Sequence, residues 1–219
     1  MTNTKTLLID MDAIVADLAT EWYARWNKKA KERWLNDGLN GTPFKPLLVD
    51  DVKAWDVAKT VGDNRIYDIL KEPGLYRAIK PFPAAQKAVR ALFDLKLDNG
   101  KPAFNIVFLT ASITAPHILM DKALWMADHF PYINPRQMIY AYQKELVRGD
   151  FFIDDSPKNL KNWKAAWPDG VAITIDYPYN QTADVSLRAR SYKNMDEAWA
   201  MIQRYLESMA IFREGYQFP

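Results

Sequence analysis

Two short acidic motifs contain the residue types whose spacing could support catalysis. In TLLIDMDAIVAD, Asp10 ends an apolar run and Asp12 follows two positions later. Asp154 and Asp155 end a second apolar run, DFFIDD. An ionised carboxylate is costly to bury without a partner, so these acids either lie at the rim of the core or are matched by a cation. They are candidates for acid–base and metal chemistry.

The composition excludes several other kinds of active site. The 219 residues include no cysteine, which excludes thiolate nucleophiles, disulfides and cysteine zinc sites. The two histidines, His117 and His129, are too few for a multi-histidine metal site. The formal net charge of +2 argues against a nucleic-acid partner. Any chemistry must therefore depend mainly on carboxylates, lysines and hydroxyls, and a hard metal ion stays open as an addition to them.

No segment of the chain is typical of secretion or of a membrane span. Acidic residues interrupt the N-terminal stretch MTNTKTLLIDMDAIV, so it does not resemble a signal peptide. The longest uncharged run, 102–120, contains Asn105, Pro116 and His117, which is typical of a strand, a loop and a helix start. We expect a cytoplasmic protein with no membrane partner.

The chain contains eight tryptophans. Large aromatic side chains most often pack in the interior, and we expect that use here. Some of them could instead form an apolar contact surface. The sequence therefore leaves open the possibility that two copies of the chain form a homodimer.

Strands and helices alternate along most of the chain. Apolar segments with β-type residues predict strands at 6–10, 104–110, 138–142, 150–155 and 171–176. Helical periodicity and capping residues predict helices at 15–35, 83–99, 116–130, 157–166 and 194–209. This alternation is typical of an α/β fold with a Rossmann-like parallel sheet.

The stretch from Asp37 to Pro81 differs in composition from the rest of the chain. Gly, Pro and Asn punctuate it around DDVKAWDVAKTVG and NRIYDILKEPG, which predicts short helices. Together with the preceding helix, it is predicted to form a small helical cap inserted after the first strand. We therefore expect a catalytic core of residues 1–17 and 79–219 and a cap of residues 18–78.

The acidic motifs and Thr110 all follow the ends of predicted strands. Ligands of open α/β sheets bind outside the carboxyl ends of the strands, so these side chains are expected to converge there. Acids after strands also serve as helix N-caps, and either pair alone could do so. Two converging pairs would repel each other without a cation between them. Because only hard oxygen ligands are available, Mg²⁺ is the natural choice.

The motifs resemble those of the haloacid dehalogenase superfamily of phosphohydrolases. DMDAIVAD resembles the first motif, VFLTAS with Thr110 the second and DFFIDD the fourth, and Lys122 or Lys144 could supply the third. Within the superfamily, the chain is similar to the 5′(3′)-deoxyribonucleotidases of cytosolic type C. The similarity extends over EPGLYRAIKPFP, DKALWMADHF and YQKELVRGDFFIDD. It implies a Mg²⁺-dependent phosphatase whose substrate is a nucleoside monophosphate, with a deoxynucleotide favoured.

The resemblance implies a role for each acid. Asp10 would attack phosphorus and form a phosphoaspartate, and Asp12 would protonate the leaving alkoxide and deprotonate the attacking water. Asp10, Asp12 through its carbonyl oxygen, and Asp154 would hold Mg²⁺. Asp155 would lie beside these ligands or on a bound water. Ala13 stands where the family often has glycine.

The resemblance also implies a phosphate-binding set, which consists of Thr110, Ala111, Lys122 and Lys144. The usual Thr-Ser-Pro is replaced by Thr110-Ala111-Ser112, which removes one hydroxyl. Lys122 lies on a predicted helix beside apolar residues, where a lysine is commonly solvated with its stem on the apolar surface. We predict instead that Lys122 binds the phosphoryl group and that Lys144 stabilises the acidic cluster.

Leu18, Trp55 and Tyr76 are the predicted substrate-binding residues. Leu18 stands where the family has an aromatic residue, and Ala54 precedes Trp55, so one of two cap aromatics remains. Trp55 either packs the cap onto the core or stacks on a base, and Tyr76 could form another wall. Two alternatives stay open. They are the same chemistry on a sugar, cofactor or nucleic-acid 3′-phosphate, and a non-catalytic binding module of the same fold.

Overall fold

Six parallel strands form one sheet in the computed structural model, which describes residues 3–36, 43–111 and 115–211. The strands are β1 Lys5–Ile9, β2 Phe104–Thr110, β3 Met138–Tyr140, β4 Phe151–Ile153, β5 Val171–Ile175 and β6 Leu187–Ala189. Their order is β3-β2-β1-β4-β5-β6, and each neighbouring pair is parallel. The predicted α/β fold is therefore confirmed. Ser112 and the cap residues 37–42 lie outside the described residues.

Strand β1 lies in the middle of the sheet, and its position determines where a site can form. Leu7, Leu8 and Ile9 are fully buried because both faces of the strand are covered. β1 pairs with β2 on one side and with β4 on the other. The loop that follows β1 leads to one face of the sheet, and the loop that follows β4 leads to the other. Because the two loops diverge between neighbouring strands, they leave a crevice at the carboxyl ends of these strands.

Helices cover both faces of the sheet. They are α1 Leu18–Asn36, α2 Val57–Val61, α3 Ile66–Ile69, α4 Leu75–Ala78, α5 Pro83–Asp94, α6 Pro116–His129, α7 Pro157–Ala166 and α8 Met195–Ile211. The larger apolar cluster lies between one face and α5, α6 and α8, and it includes Phe108 and Trp199. A smaller cluster lies on the other face, where Phe152 packs against Trp163 of α7. Within the described ranges, no helix is long and apolar enough to cross a membrane.

Short helices occupy the stretch of distinct composition. α1 packs on α3 and α4, α2 packs on α3, and α4 also contacts α6. Trp22 of α1 donates its indole N–H to the carbonyl of Ile66 at 2.8 Å, and Asn27 makes two hydrogen bonds with the backbone of Leu47. The helical character agrees with the prediction, while the division into a core and a cap of residues 18–78 stays a prediction.

The helix that begins at Pro83 is shorter than predicted. It ends at Asp94 and does not continue toward Gly100. Lys96 and Pro102 form an antiparallel bridge beyond it, and Gly100 takes a φ of +77° between them. The prediction was wrong because a glycine with positive φ serves a tight turn as readily as a helix C-terminus.

Strand β6 has no counterpart in the sequence-based prediction. Its three residues, Leu187–Ala189, are too short to show a periodic pattern. They are defined by parallel pairing with β5, in which Ile173 lies opposite Leu187. Strand β6 is therefore defined by its pairing with β5, and no local sequence pattern predicts it.

Most of the tryptophans are core residues, as expected. The side chains that are buried are Trp22, Trp26, Trp125, Trp163 and Trp199. Trp55 differs, since it is 51% exposed. Packing in the interior therefore accounts for most of the tryptophans, whereas the exposed Trp55 requires another explanation.

Candidate active site

Asp10 and Asp12 lie in the loop that leaves β1. The amide N–H of Asp10 donates to Ile153 of β4 at 2.9 Å, which continues the strand pairing as far as the acid. The Asp10 side chain accepts the amide N–H of Met11 at 2.7 Å. The chain then makes a tight loop in which Ala13 has a φ of +60°. This left-handed conformation costs a residue with a Cβ about 1–2 kcal/mol.

Lys144 joins the first acidic motif to the fourth. Its Nζ lies 2.8 Å from Oδ1 of Asp10 and 2.6 Å from Oδ2 of Asp154. The buried side chain reaches the acids from a short 3₁₀ segment, Lys144–Leu146, just before β4. Burial acts to lower the pKa of Lys144, but the two carboxylates together raise it above its ordinary value. The lysine is therefore charged where it lies between the acids.

Lys122 reaches the site from α6. Its Nζ lies 2.7 Å from Oδ2 of Asp12 and donates to Oγ1 of Thr110 at 2.9 Å. It also donates to the carbonyl of Ala111 at 2.9 Å and lies 4.9 Å from the centre of the Tyr76 ring. The ammonium group of Lys122 thus contacts the first motif through Asp12, the second motif through Thr110, and the ring of Tyr76.

The burial of Lys122 excludes the common solvated role of a helix lysine. Ile118, Lys122 and Trp125 have no exposed surface, whereas Leu119 is 38% exposed. Lys122 therefore lies on the buried face of α6 together with apolar residues, and Leu119 does not. Lys122 points into the protein because its charge is satisfied there by Asp12.

The two acids of the fourth motif follow β4. Asp154 accepts the amide N–H of Ser156 at 2.7 Å. Asp155 accepts the hydroxyl of Tyr179 at 2.7 Å. Carboxylate oxygens of Asp10, Asp154 and Asp155 all lie within 4.8 Å of one another. These three acids form the group that could hold a metal ion.

The charge of the site fits a divalent cation. Four carboxylates face two lysine ammonium groups, which leaves two negative charges when all are ionised. Burial raises the pKa of Asp154 to about 6 and raises the pKa of Asp155 well above its ordinary value. Such shifts indicate acids that lack enough neighbouring positive charge. Hard carboxylate oxygens are the ligands that Mg²⁺ prefers, so the donor set fits this ion.

Asp12 has a different environment from the other acids. Its Oδ2 accepts Lys122, whereas its Oδ1 is buried without a hydrogen-bond partner among the described residues. Burial raises the pKa of Asp12, and the charge of Lys122 opposes this effect. A free oxygen and a raised pKa suit a group that holds a proton. The three-carboxylate group does not include Asp12, so only its backbone carbonyl is left for a metal role.

A cavity of about 560 Å³ adjoins the acids. Asp10, Asp12 and Asp155 line it, and so does Lys144. Its aromatic lining consists of Trp22, Tyr23, Trp55, Tyr67, Tyr76, Tyr142 and Tyr179. A cavity of this size with few polar groups is typical of a small-molecule site.

The structure brings the predicted site residues together. Those that line the cavity are Asp10, Asp12, Leu18, Trp55, Tyr76, Ala111, Lys144 and Asp155. Three other predicted residues do not line the cavity, but each is hydrogen-bonded to a residue that does: Thr110, Lys122 and Asp154. The ring of Trp55 meets that of Tyr179 edge-on, with centres 5.5 Å apart. The role of each residue in a reaction stays a prediction.

Tyr67, Tyr142 and Tyr179 are lining residues that the sequence-based prediction does not include. Tyr179 lies in the loop between β5 and β6, in a part of the chain without a recognisable motif. The one available signal is its position shortly after an apolar strand of a parallel sheet, where ligands bind. That signal is shared by many residues.

Comparisons of the sequence with known proteins identify a family. Residues 4–205 match the model of the family described as 5′ nucleotidase, deoxy (Pyrimidine), cytosolic type C protein. The 5′(3′)-deoxyribonucleotidase of Clostridium acetobutylicum is 33% identical over 193 residues, which are 87% of this chain and 92% of that protein. The 5′(3′)-deoxyribonucleotidase of Bacillus subtilis is 24% identical over 88% of this chain and 96% of that protein.

Solved structures show the same fold. A HAD family hydrolase from Deinococcus radiodurans, described with bound phosphate and sodium, gives a TM-score of 0.59 at 12% identity and covers 96% of this chain and 99% of that chain. A haloacid dehalogenase-like family hydrolase from Xanthomonas campestris gives a TM-score of 0.52 at 15% identity, with coverages of 96% and 99%. At these identities the likeness concerns the fold alone.

Proposed function

Because the chain belongs to the family of 5′ nucleotidase, deoxy (Pyrimidine), cytosolic type C proteins, we propose that it hydrolyses nucleoside monophosphates, deoxynucleotides among them, with Mg²⁺ as cofactor. The observation that carries the proposal is a single cavity in which acidic motifs and aromatic walls meet. The charged groups suit a phosphate, and the aromatic rings suit a base.

Asp10 is the proposed nucleophile. The Met11 amide and Lys144 both contact its Oδ1, which fixes the orientation of the carboxylate. Attack of Asp10 on phosphorus breaks the bond to the leaving alkoxide and forms a phosphoaspartate. Water then attacks this phosphoaspartate, which releases phosphate and restores the carboxylate.

Asp12 is the proposed acid and base. Lys122 binds its Oδ2, so Oδ1 is the oxygen that exchanges the proton. Because burial raises the pKa of Asp12, Oδ1 can carry a proton to the leaving alkoxide. The same oxygen then takes a proton from the attacking water.

Lys122, Thr110 and the backbone at Ala111 are proposed to bind the phosphoryl oxygens. Lys122 and Thr110 are already joined by a hydrogen bond of 2.9 Å, so a cation and a hydroxyl are oriented before substrate binds. Lys144 is held between Asp10 and Asp154, and its proposed role is to keep the acidic cluster together.

Asp10, Asp154 and Asp155 are proposed to hold Mg²⁺, with the carbonyl of Asp12 as a further ligand and Asp155 acting directly or through water. When bound, the ion supplies positive charge to the phosphoryl oxygens and offsets the excess negative charge of the acids. The protein contributes the orientation of these carboxylates, since Lys144 contacts Asp10 and the amide of Ser156 contacts Asp154.

An assay of phosphate release with and without Mg²⁺ tests the proposal. We expect hydrolysis of p-nitrophenyl phosphate and of members of a nucleoside monophosphate panel with Mg²⁺, and none after chelation. Asp10→Asn keeps the shape of the side chain but removes the attacking charge, so turnover should fall at least ~10³-fold. Asp17→Asn is the matched control, because Asp17 belongs to the same motif but does not line the cavity, and its side chain accepts the backbone N–H of Thr20 at 3.3 Å.

Near-normal turnover by Asp10→Asn would contradict the mechanism. Hydrolysis of a sugar phosphate without hydrolysis of any nucleotide would keep the mechanism and contradict the substrate. A wild-type protein that hydrolyses no phosphate ester would contradict both.

A further inference from the structure

Tyr179 has no role in the reaction proposed above, yet it lies in the cavity. Its hydroxyl donates to Oδ2 of Asp155 at 2.7 Å. Its ring meets the ring of Trp55 edge-on, with centres 5.5 Å apart. One side chain therefore contacts both the acidic cluster and the exposed aromatic residue proposed to bind the base.

The backbone that carries Tyr179 is held in place by the neighbouring Asn180. Asn180 is fully buried, and its amide N–H₂ donates to the carbonyl of Asp155 at 3.2 Å. Its Oδ1 accepts the amide N–H of Tyr177 and the guanidinium of Arg188. A buried polar network with its partners satisfied holds the chain in one conformation.

The ring of Tyr179 is fixed by a stack of tyrosines. Tyr177 stacks on Tyr179 with centres 5.1 Å apart and on Tyr192 with centres 4.7 Å apart. The hydroxyl of Tyr177 donates to the carbonyl of Ala13 at 2.8 Å, which ties the stack to the loop of the first motif. Tyr179 cannot turn away from Asp155 without breaking this stack.

We propose that Tyr179 is a positioning residue with two separable parts. The hydroxyl holds the Asp155 carboxylate in the orientation that completes the metal-binding group. The ring holds Trp55 beside the cavity and so favours substrates that carry a base. The part played by the ring rests on the proposed function, whereas the part played by the hydroxyl concerns the metal alone.

Two substitutions separate these parts. Tyr179→Phe removes the hydroxyl and keeps the ring, and Tyr179→Leu removes both. Tyr192→Phe is the matched control, because the hydroxyl of Tyr192 also donates to an aspartate, Asp50, at 2.6 Å from the same stack. Mg²⁺ binding is measured by calorimetric titration of each purified protein without substrate. KM and kcat are measured at saturating Mg²⁺ with a nucleoside monophosphate and with p-nitrophenyl phosphate.

Tyr179→Phe should bind Mg²⁺ about tenfold more weakly than wild type, since hydrogen-bond partners of metal ligands tune affinity by about 10–100-fold. Its preference for the nucleotide over p-nitrophenyl phosphate should be unchanged. Tyr179→Leu should show the same loss of Mg²⁺ affinity. At saturating Mg²⁺ it should also raise KM for the nucleotide about tenfold, with kcat and the KM of p-nitrophenyl phosphate little changed. Tyr192→Phe should match wild type in both measurements.

Wild-type Mg²⁺ affinity in Tyr179→Phe, or an equal loss in Tyr192→Phe, would overturn the role of the hydroxyl. An unchanged nucleotide preference in Tyr179→Leu would overturn the role of the ring. A wild-type protein that binds Mg²⁺ but hydrolyses no nucleotide would refute the proposed function and the role of the ring together. The Mg²⁺ titration of Tyr179→Phe would still decide the role of the hydroxyl.

Discussion

Asp10 and Asp12 are the same residue type two positions apart, and their surroundings make them different. Oδ1 of Asp10 is held by an amide and by Lys144, whereas Oδ1 of Asp12 is buried and has no donor among the residues described. This difference supports the proposal that Asp10 attacks phosphorus and that Asp12 transfers the proton.

Asp12→Asn should therefore impair nucleotide hydrolysis more than hydrolysis of p-nitrophenyl phosphate. An alkoxide leaving group needs the proton that an amide cannot supply, whereas p-nitrophenolate leaves without it. We expect kcat for a nucleoside monophosphate to fall about 10²–10⁴-fold, with a smaller loss for p-nitrophenyl phosphate. Equal losses for the two substrates would argue against Asp12 as the acid.

Ala13→Gly should stabilise the protein. The φ of +60° at Ala13 costs a residue with a Cβ about 1–2 kcal/mol, and the greater freedom of glycine in the unfolded chain offsets about 0.5–1 kcal/mol. We expect a net gain of about 0.5–1 kcal/mol in the free energy of unfolding, measured in urea. Ala16→Gly is the control, because this buried alanine of the same loop lacks a positive φ, and it should destabilise. A destabilised Ala13→Gly would mean that packing of the Cβ outweighs the strain.

At the scale of elements, two lysines reach the acids from different supports. Lys122 comes from α6, and Lys144 comes from the 3₁₀ segment before β4. The first is joined to Asp12 and Thr110, and the second is joined to two acids of the metal-binding group. This difference predicts different consequences of removing each charge.

Lys122→Met should weaken the binding of vanadate about tenfold or more, because a cation that faces the phosphoryl group is lost. Lys144→Met should mainly lower the free energy of unfolding, by about 3–5 kcal/mol, since it leaves buried acids without their partner. Vanadate titration and urea unfolding of both variants measure these effects. Unchanged vanadate affinity in Lys122→Met, with lost affinity in a folded Lys144→Met, would exchange the two roles.

Trp55 belongs to the loop before α2 and is an exposed aromatic residue of the cavity wall. Stacking of an aromatic side chain on a base contributes about 1–3 kcal/mol, so Trp55→Ala should raise KM for a nucleoside monophosphate about tenfold or more. Hydrolysis of p-nitrophenyl phosphate should change much less. Trp34→Ala is a suitable control, because Trp34 contacts Phe44 and does not line the cavity. Parallel losses for both substrates with a lower Tm would show that Trp55 is a packing residue.

At the scale of the whole molecule, the proposed metal ligands would couple Mg²⁺ binding to the stability of the fold. Burial raises the pKa of Asp154 to about 6, above its value of 3.8 in an unfolded chain. Between these two values the folded state binds a proton that the unfolded state lacks. This carboxyl therefore stabilises the metal-free protein at low pH, and that contribution is lost as pH rises through the folded pKa.

The stabilisation by Mg²⁺ should have the opposite dependence on pH. Mg²⁺ needs the ionised carboxylate, so its apparent affinity should fall by about tenfold per pH unit below the pKa of Asp154. We expect the rise in Tm on adding Mg²⁺ to be clearly larger at about pH 7.5 than at about pH 5. Thermal unfolding with and without Mg²⁺ measures the effect, and Asp154→Asn should show little rise at either pH. An equal rise in Tm at both pH values in the wild type would contradict the metal role of Asp154.

The sequence by itself determined the elements and the main reactive groups. Periodicity and apolar runs are local properties, so five of the six strands and the α/β fold could be predicted from them. The acids of both motifs could be predicted as well, because a carboxylate at the end of an apolar strand is conspicuous without any knowledge of its neighbours.

Only the tertiary structure decided which residues meet. Lys122 binds Asp12 across 110 positions of the chain, and Tyr179 binds Asp155 across 24. The burial of Lys122 on α6, the existence of β6 and the place of Tyr179 in the cavity lining depend on contacts of this kind. Local patterns cannot reveal them, because an ion pair or a hydrogen bond between distant residues forms only when the sheet and its helices bring the two groups together.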